Sequence, residues 1–353
     1  MKIAFLGDIA LVGQFSNAGN KIDFLCKLLE GYDYIVANLE SPLTSKTKTM
    51  VPKSMHLRAD ENSVEVLKRL KINAVTLANN HTYDYGRKGV EDTIRVLDAA
   101  GIKWYGIDGK TITKTVKGEK FTLSGFCCLS TNGTGYRKES SKGINTLTRN
   151  ALEAQVKLDK ENGAVSVVSV HYGIEHTNYP ALEHIRLFER ISSENTVIMH
   201  GHHPHQIQGI EEKNGSIIAY SLGNAIFDKT SSINGSFTVE LNEENKKSFV
   251  LGAEIINGVI IRYETNGFYI SDNGIIPYEI KNELKAISQP LENINDATEY
   301  QTRRKEQYQR VLTNKFGKHD IKWLFSRMNY YSLLAKIGSI RRAKKYQIVK
   351  KEF

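Results

Sequence analysis

The chain has 353 residues, a length that suggests one main domain with an appendage. Hydrophobic residues make up 40% of it and charged residues 25%, which is ordinary for a globular protein and excludes the disordered and fibrous classes. The apolar run at the N-terminus is broken at Gly7, and no window reaches the roughly eighteen apolar residues that a membrane-spanning helix needs. We therefore predict a cytoplasmic protein without a signal peptide or a transmembrane segment.

The three cysteines are Cys26, Cys127 and Cys128. An odd number, with two of them adjacent, does not describe a disulfide framework, and the sequence has no CxxC metal motif. We predict buried thiols in a reducing compartment.

The net charge of +9 is concentrated near the C-terminus. Residues 301–353 contain 15 Lys and Arg against 3 Asp and Glu, a local charge of +12, which leaves −3 for residues 1–300. From about residue 281 the sequence becomes polar and helical, with little strand character. We predict two parts: a domain at 1–280 and a basic helical extension at 281–353.

The first hundred residues alternate between predicted strands and helices. Short β-rich runs at 2–6, 34–39 and 74–77 each end in polar residues. Helical spacing follows each of them, at 23–30, 63–70 and 89–100. Ligands of open α/β sheets bind at the carboxyl ends of the strands, so these polar residues are candidates for a site.

Later segments extend the sheet. Predicted strands at 165–170 and 197–199 each end in histidine, and an apolar run at 217–222 follows. The sequence then changes to alternating segments at 236–241, 249–255 and 259–263, with Asn257-Gly258 as a hairpin signal. We predict that antiparallel strands complete the sheet.

The polar motifs at the strand ends are ambiguous when taken singly. Asp8 could cap a helix, and Glu40 before Ser41-Pro42 could be a turn residue. Asp84 follows His81 by three residues, a spacing at which the carboxylate can orient the imidazole, and the amide oxygen of Asn80 can bind a metal. A loop turn with a capping aspartate is the alternative for this motif.

The densest signal is the segment 200–205, which holds four of the ten histidines. Imidazole suits transition metals. Alternation along an extended chain predicts that His203 and His205 face one side together, with His200 and His202 directed into packing or toward substrate. With metal ligands on the same sheet edge, His171 is also predicted to be a ligand. Three other histidines lack such context and are predicted to lie at the surface: His56, His184 and His319.

Together these motifs resemble the CapA family of poly-gamma-glutamate capsule proteins, within the calcineurin-like metallophosphoesterase superfamily. The resemblance covers roughly residues 1–230. It rests on six ordered segments, at 7–8, 38–43, 77–86, 171–175, 201–205 and 220–228. It implies an α/β fold in which helices flank a central β-sandwich and metals lie at the strand ends. One departure is that Ile9 and Ala10 follow Asp8, where the superfamily commonly has Asp-x-His.

The resemblance also implies a role for each matching residue. Two divalent transition metal ions, of Mn, Fe, Zn or Co, are expected: Asp8 would bind the first, Glu40 would bridge both, Asn80 and His171 would bind the second, and His203 and His205 would complete the two sets. His81 would be the general acid, supported by Asp84. Residues expected near the substrate are Arg58, Asn38, His202, Glu175 and Asn224. An arginine near metals could clamp a phosphate or carboxylate, although a solvated arginine is the ordinary alternative for Arg58.

These roles imply a metal-dependent hydrolase, in particular a phosphoesterase, for a phosphorylated or other anionic substrate, with a link to capsule or cell-surface polymer synthesis. The alternative is a metal-bound accessory or binding protein of polyglutamate or polysaccharide capsule assembly that catalyses no reaction.

The basic extension has two clusters, at 303–305 and 341–345, interleaved with aromatic and leucine residues. It could bind an anionic membrane surface, a nucleic acid or an acidic partner, and a membrane role would make the protein peripheral to the bilayer. Specific recognition of nucleic acid is not expected. The alternative is a helical appendage that packs on the domain through its aromatic face.

Overall fold

The computed structural model describes the chain except for residues 18, 138–140, 234, 236–237, 293, 295–296 and 317–329. The strands are β1 Lys2–Ile9, β2 Tyr34–Leu39, β3 Ala74–Thr76, β4 Lys103–Tyr105, β5 Ile112–Val116, β6 Glu119–Cys127, β7 Val165–His171, β8 Val197–His202, β9 Ile210–Lys213, β10 Ser216–Ala219, β11 Asn224–Ile226, β12 Thr230–Ser231, β13 Thr238–Val239, β14 Lys247–Ile256, β15 Val259–Ser271 and β16 Gly274–Pro277. The α-helices are α1 Asp23–Leu28, α2 Val64–Arg69, α3 Gly86–Ala99, α4 Arg149–Glu161, α5 Leu182–Glu194, α6 Lys281–Glu292, α7 Ala297–Phe316 and α8 Tyr330–Val349.

Two large sheets form a sandwich. The first has the order β16-β15-β14-β1-β2-β3-β4, with β11 also paired to β1, and the second has the order β5-β6-β7-β8-β10-β9. Strands β1 to β4 run parallel, as do β6, β7, β8 and β10, whereas β14, β15 and β16 are antiparallel. The predicted completion of the sheet by antiparallel strands is therefore confirmed.

Apolar side chains of both sheets meet in a common core. Phe5 of β1 packs in one cluster with Val167 of β7 and Ile198 of β8. The outer face of the first sheet is covered by α1, α2 and α3, and that of the second by α4 and α5. These helices, on both faces of the sandwich, confirm the predicted fold class.

The apolar character of the central strands explains their position. All seven residues of β7 are buried, and so are seven of the eight residues of β1, as expected for parallel strands covered on both faces. Several predicted boundaries were wrong in detail: β1 continues to Ile9 and β15 to Ser271. Strand β8 continues to His202, and of the described residues in 236–241 only Thr238–Val239 forms a strand, in a small ribbon with β12.

Two glycines let the sheets approach each other beside the strand ends. A Cβ atom on Gly7 would lie 2.0 Å from the carbonyl oxygen of Gly223, and one on Gly201 would lie 1.9 Å from that of Tyr220. Residues 220–223 carry the chain from β10 in the second sheet to β11 in the first. Because no side chain fits at either glycine, this connection can pass close to both sheets and hold their carboxyl edges together.

The C-terminal residues from Lys281 onward are helical where the structure describes them. Leu284, Leu291 and Tyr300 are buried, and the Tyr300 hydroxyl donates to the carbonyl of Pro180 at 2.8 Å. The extension thus packs against the domain, while its separation at residue 281 stays a prediction. Among the described residues, no helix has the length and apolar character needed to cross a bilayer.

Two of the three histidines predicted at the surface lie within the described chain, and His319 lies outside it. The prediction for His184 was wrong: its ring is fully buried, 4.6 Å from that of Tyr172 and 5.7 Å from that of Phe353. His56 is partly buried, with Nε2 2.8 Å from the carbonyl oxygen of Val51. Helix α8 and the residues after it cover His184, a contact that local sequence does not reveal. All three cysteines are free. Cys127 and Cys128 are buried, as predicted, whereas Cys26 is only partly buried.

Acidification is expected to destabilise the protein in part through His184. Burial lowers the pKa of His184 to about 4, below the value near 6.5 of an unfolded chain. The unfolded state therefore binds a proton first, and stability is lost as the pH falls from about 6.5 toward 4. Urea unfolding at pH 7.5 and at pH 5 should show that His184→Phe reduces this loss by about 1–2 kcal/mol relative to wild type. An equal loss in both proteins would contradict the assignment.

Candidate metal centre

Six polar side chains meet where the carboxyl edges of the two sheets face each other. Asp8 lies near the end of β1 and Glu40 directly after β2, and these neighbouring parallel strands place Asp8 opposite Asn38. On the other sheet, His171 ends β7 opposite His202 of β8. The turn after β8 and the loop after β3 supply the remaining three residues of the group, which is Asp8, Glu40, Asn80, His171, His203 and His205.

The ligand atoms form two sets that share Glu40. One set is Glu40, His171 and His203, the other is Asp8, Glu40 and His205, and within each set the atoms lie within 4.8 Å of one another. His171 Nε2 is 3.3 Å from Glu40 Oε1 and 2.9 Å from the amide oxygen of Asn80. This geometry agrees with a bridging role for Glu40, which stays a prediction.

The chemistry of the donors fits divalent transition metals. Glu40 is fully buried, and neither of its carboxylate oxygens has a hydrogen-bond partner among the described residues. Burial, reinforced by repulsion from Asp8, raises the pKa of Glu40 well above its usual value. A buried carboxylate without hydrogen bonds is costly, and a cation between carboxylate and imidazole ligands would remove that cost.

The buried histidines are in the protonation state that binds metals. Burial lowers the pKa of His203 to about 3 and that of His171 well below its usual value. Both rings are therefore neutral at pH 7 and keep a lone pair for coordination. His203 Nδ1 is also buried without a hydrogen-bond partner in the described part of the chain.

Alternation along a strand does not explain how His203 and His205 reach the site. Strand β8 ends at His202, and His203 and His205 then have positive φ angles of 97° and 55°. A non-glycine residue rarely adopts such a conformation, which is found in tight turns and at active sites. The turn around Pro204, rather than an extended chain, directs the two rings to the two ligand sets.

His202, predicted to contact the substrate, is instead fully buried beside Asp8. Its Nδ1 lies 3.1 Å from Asp8 Oδ1, although the ring is not aligned for a hydrogen bond. Its Nε2 lies 3.0 Å from His200 Nδ1, and His200 Nε2 lies 2.7 Å from the Ser169 hydroxyl, which is 2.6 Å from that of Tyr105. This buried chain of polar groups holds Asp8 in place from within the sandwich. The sequence does not predict that these residues contact one another.

Asp8 is ionised in this setting. Burial raises its pKa, but the contact with His202, attraction from His205 and a hydrogen bond from Asn38 outweigh burial and lower the pKa of Asp8 to about 2. The Asp8 carboxylate is therefore available as a metal ligand across the whole range of pH in which the protein is expected to be folded.

Asn38 and Asn224, also predicted near the substrate, are fully buried and contact the predicted ligands Asp8 and His205. Asn38 Nδ2 donates to Asp8 Oδ1 at 2.7 Å, and the side-chain oxygen of Asn38 accepts from Asn79. Asn224 Oδ1 lies 2.9 Å from His205 Nδ1. Partners of this kind set the direction and tautomer of a metal ligand. Neither side chain is exposed to a substrate.

His81, Asp84 and Lys53 form a second cluster beside the ligands. His81 Nδ1 is 2.6 Å from Asp84 Oδ2, and Lys53 Nζ donates to Asp84 Oδ1 at 2.7 Å and to the carbonyl of Asn80 at 2.9 Å. Burial and the charge of Lys53 lower the pKa of His81. Burial raises the pKa of Asp84, but Lys53 and His81 outweigh it and hold that pKa below its usual value.

Sequence reasoning missed Lys53. It lies in an irregular segment before α2, and the motif around it has no recognisable spacing relative to His81. Its side chain is only 4% exposed, and a lysine is rarely so buried unless it is paired, as Lys53 is with Asp84. Only the fold of the segment over residues 80–84 brings the ammonium group to the site.

The last two residues predicted near the substrate, Arg58 and Glu175, differ in their surroundings. Arg58 is partly buried and has its described contacts with Asp60 and with the carbonyl oxygen of Thr44, so it is not directed at the ligand sets. Glu175 is partly buried, and its charge raises the pKa of Glu40 and opposes the lowering of the His203 pKa.

Fold and site together define a mixed α/β protein with a buried centre of carboxylates and histidines. Residues 2–229 match the family described as bacterial capsule synthesis protein PGA_cap. The chain belongs to this family, and the predicted CapA-type membership is confirmed.

Similar proteins have related descriptions. The chain is 29% identical over 242 residues to the PGA biosynthesis protein CapA of Bacillus subtilis (strain 168), which covers 65% of this chain and 64% of the relative. It is 32% identical over 214 residues to the capsule biosynthesis protein CapA of Bacillus anthracis, covering 57% and 52%. The chain thus spans between half and two thirds of the length of these relatives.

A solved structure of a putative 5'-nucleotidase from Staphylococcus aureus, in complex with alpha-ketoglutarate, matches with a TM-score of 0.47 at 13% identity, covering 83% of this chain and 58% of that one.

Proposed function

We propose that this chain is a metal-dependent phosphoesterase that hydrolyses a phosphorylated, anionic substrate in the synthesis of a capsule or other cell-surface polymer. The strongest support is Glu40, whose two oxygens are buried without a hydrogen-bond partner among the described residues and which belongs to both ligand sets. The link to polymer synthesis is supported by the family and by the descriptions of the two Bacillus relatives.

The two ligand sets would each bind one metal ion. Asp8, Glu40 and His205 would hold one ion, and Glu40, His171 and His203, with Asn80 beside them, would hold the other. Manganese, iron, zinc and cobalt all suit these nitrogen and oxygen donors. When bound, such ions lower the pKa of a water molecule and neutralise negative charge on a phosphoryl group.

Substrate would enter from the side of His81 and His205. Their side chains are 9% and 13% exposed, whereas those of Asp8, Glu40 and His171 are not exposed at all. A phosphoryl group that approaches past these two side chains would reach the ligand sets while the rest of the substrate stays outside. The leaving oxygen would then lie next to His81.

The chain's own part in the reaction is proton transfer to that oxygen. Asp84 holds His81 through Nδ1, so Nε2 is the ring atom from which a proton can pass to the leaving group. Burial and Lys53 disfavour the charged imidazole, and the negative charge of a bound substrate would counteract both. Lys53 anchors Asp84 and the Asn80 carbonyl, and so positions the general acid relative to a metal ligand.

A second candidate is a metal-bound accessory protein of capsule assembly that does not hydrolyse its ligand. It is favoured by the descriptions of the relatives, which name PGA or capsule biosynthesis. The same buried centre would then bind an anionic group of the polymer or of its precursor.

One experiment separates the two functions. Protein purified without a histidine tag is analysed for metals and assayed with bis-p-nitrophenyl phosphate and p-nitrophenyl phosphate, before and after incubation with Mn, Fe, Co or Zn. We expect about two equivalents of metal and turnover of at least one ester. Bound metal without turnover would favour the accessory function, and protein that takes up no metal would contradict both.

A further inference from the structure

Helix α8, Tyr330–Val349, has two different faces. One face packs on the domain: the Tyr346 hydroxyl donates to Glu183 Oε1 at 3.0 Å, and Arg342 Nη1 donates to the carbonyl of Gly133 at 3.1 Å. After the helix and a short 3-10 turn at Lys350–Glu352, Phe353 also packs on the domain, against His184. The opposite face points away from the domain.

That opposite face exposes four aliphatic side chains: Leu333, Ile337, Ile340 and Ile348, which are 57%, 37%, 49% and 66% exposed. Their spacings of four, three and eight residues place them along one stripe of an α-helix. The outer face of a helix that packs on a soluble domain is normally polar. We call this stripe, together with the basic residues beside it, the outer face of α8.

Basic residues accompany the aliphatic stripe. Lys344 lies four residues after Ile340 and four before Ile348, within the stripe, and Lys336 and Arg341 lie beside it; all three are exposed. Residues 330–349 contain five Lys and Arg and no Asp or Glu. The outer face is therefore both apolar and positively charged.

We propose that the outer face of α8 docks on an anionic lipid surface. A bilayer offers both of the complements that this face needs, because its acyl region accepts the aliphatic side chains and its phosphate headgroups attract the basic ones. Lysine and arginine can keep their charges at headgroup level while their stems lie along the apolar region. The helix would lie in the plane of the interface, with its other face still packed on the domain.

Docking through α8 would also orient the metal centre. Arg342, on the packed face, holds the segment that contains Gly133. Gly133 lies against Asn80, since a Cβ atom on it would be 3.1 Å from the Asn80 Cα. The helix is thus joined by direct contacts to the loop that carries Asn80 and His81. This would keep the centre at a constant position relative to the surface, whether or not the centre hydrolyses its ligand.

The full chain can be tested by co-sedimentation with vesicles of phosphatidylcholine, with and without phosphatidylglycerol, at low and high salt. We expect binding only to the anionic vesicles, weakened by salt. Ile337→Ser/Ile340→Ser and Lys344→Glu should each weaken it by about tenfold or more. The matched control is Val259→Ser/Ile261→Ser, which removes two exposed aliphatic side chains from β15, 58% and 50% exposed, and should leave binding unchanged.

Thermal melts that match wild type would show that the variants are folded. The proposal is overturned if wild type does not prefer anionic vesicles, or if the α8 variants bind like the β15 control. Sedimentation velocity tests another occupant: a dimer that the α8 variants abolish, without binding to vesicles, would assign the outer face to a second copy of the chain.

Discussion

Replacing Glu40 with glutamine is expected to remove both metals and, at the same time, to make the metal-free protein more stable. Glutamine keeps the size of the side chain but has no charge to bridge two cations. Without metal, Glu40 is a fully buried carboxylate that lacks hydrogen-bond partners in the described structure and is repelled by Asp8. Neutralising such a group should raise the free energy of unfolding by about 1–3 kcal/mol.

The effect of Glu40→Gln on stability should depend on pH in a defined direction. Burial raises the pKa of Glu40 in the folded state, so the native protein keeps this proton to higher pH than the unfolded chain does. Stability of the metal-free wild type is therefore lost to ionisation of Glu40 as the pH rises above the usual glutamate range. The advantage of Glu40→Gln should grow over the same interval.

Metal analysis and urea unfolding in chelator, at pH 5 and pH 8, measure both effects of Glu40→Gln. The matched control is Asp159→Asn, because Asp159 is also buried but accepts hydrogen bonds from Ser166 at 2.8 Å and from Gln155 at 2.7 Å. Burial also raises the pKa of Asp159, but these hydrogen bonds oppose that effect, so Asp159→Asn should change stability by less than Glu40→Gln does and keep its metals. A Glu40→Gln protein that retains two equivalents of metal would refute the bridging role.

Replacing His81 with alanine is expected to reduce kcat by about 10²–10⁴-fold while both metals stay bound. His81 belongs to neither ligand set, and its Nδ1 is directed to Asp84. Loss of a general acid matters most when the leaving oxygen is basic. The decrease should therefore be larger for an alkyl phosphate than for p-nitrophenyl phosphate, whose leaving group needs little protonation.

Lys53 variants distinguish positioning by Lys53 from a general need for positive charge. Lys53→Met should lower kcat by about 10–100-fold through disorder of Asp84 and His81, and Lys53→Arg should recover part of the loss. Metal analysis and thermal melts serve as controls for His81→Ala and for both Lys53 variants. If His81→Ala lost metal in proportion to activity, His81 would be a ligand or a support of one rather than the general acid.

The order of strands and helices could be predicted where local patterns are strong. The strand Tyr34–Leu39 was predicted with the bounds that the structure shows, because a largely apolar run, broken only by Asn38, is typical of a buried parallel strand. Alternation failed at His203 and His205, since β8 ends before them and the backbone turns. The local residue pattern predicts that a strand is present but does not predict the residue at which the strand ends.

The sequence by itself determined the type of centre: carboxylates, an amide and histidines at the ends of predicted strands, in an order that identifies the family. Only the tertiary structure decided which of them touch. It directed His202 and Asn38 to Asp8 instead of to substrate, brought Lys53 to Asp84, and covered His184 with the C-terminal residues. These contacts join residues up to 194 positions apart, as between Asp8 and His202. The physical reason is that burial and charge pairing depend on distances in space, which periodicity along a chain does not encode.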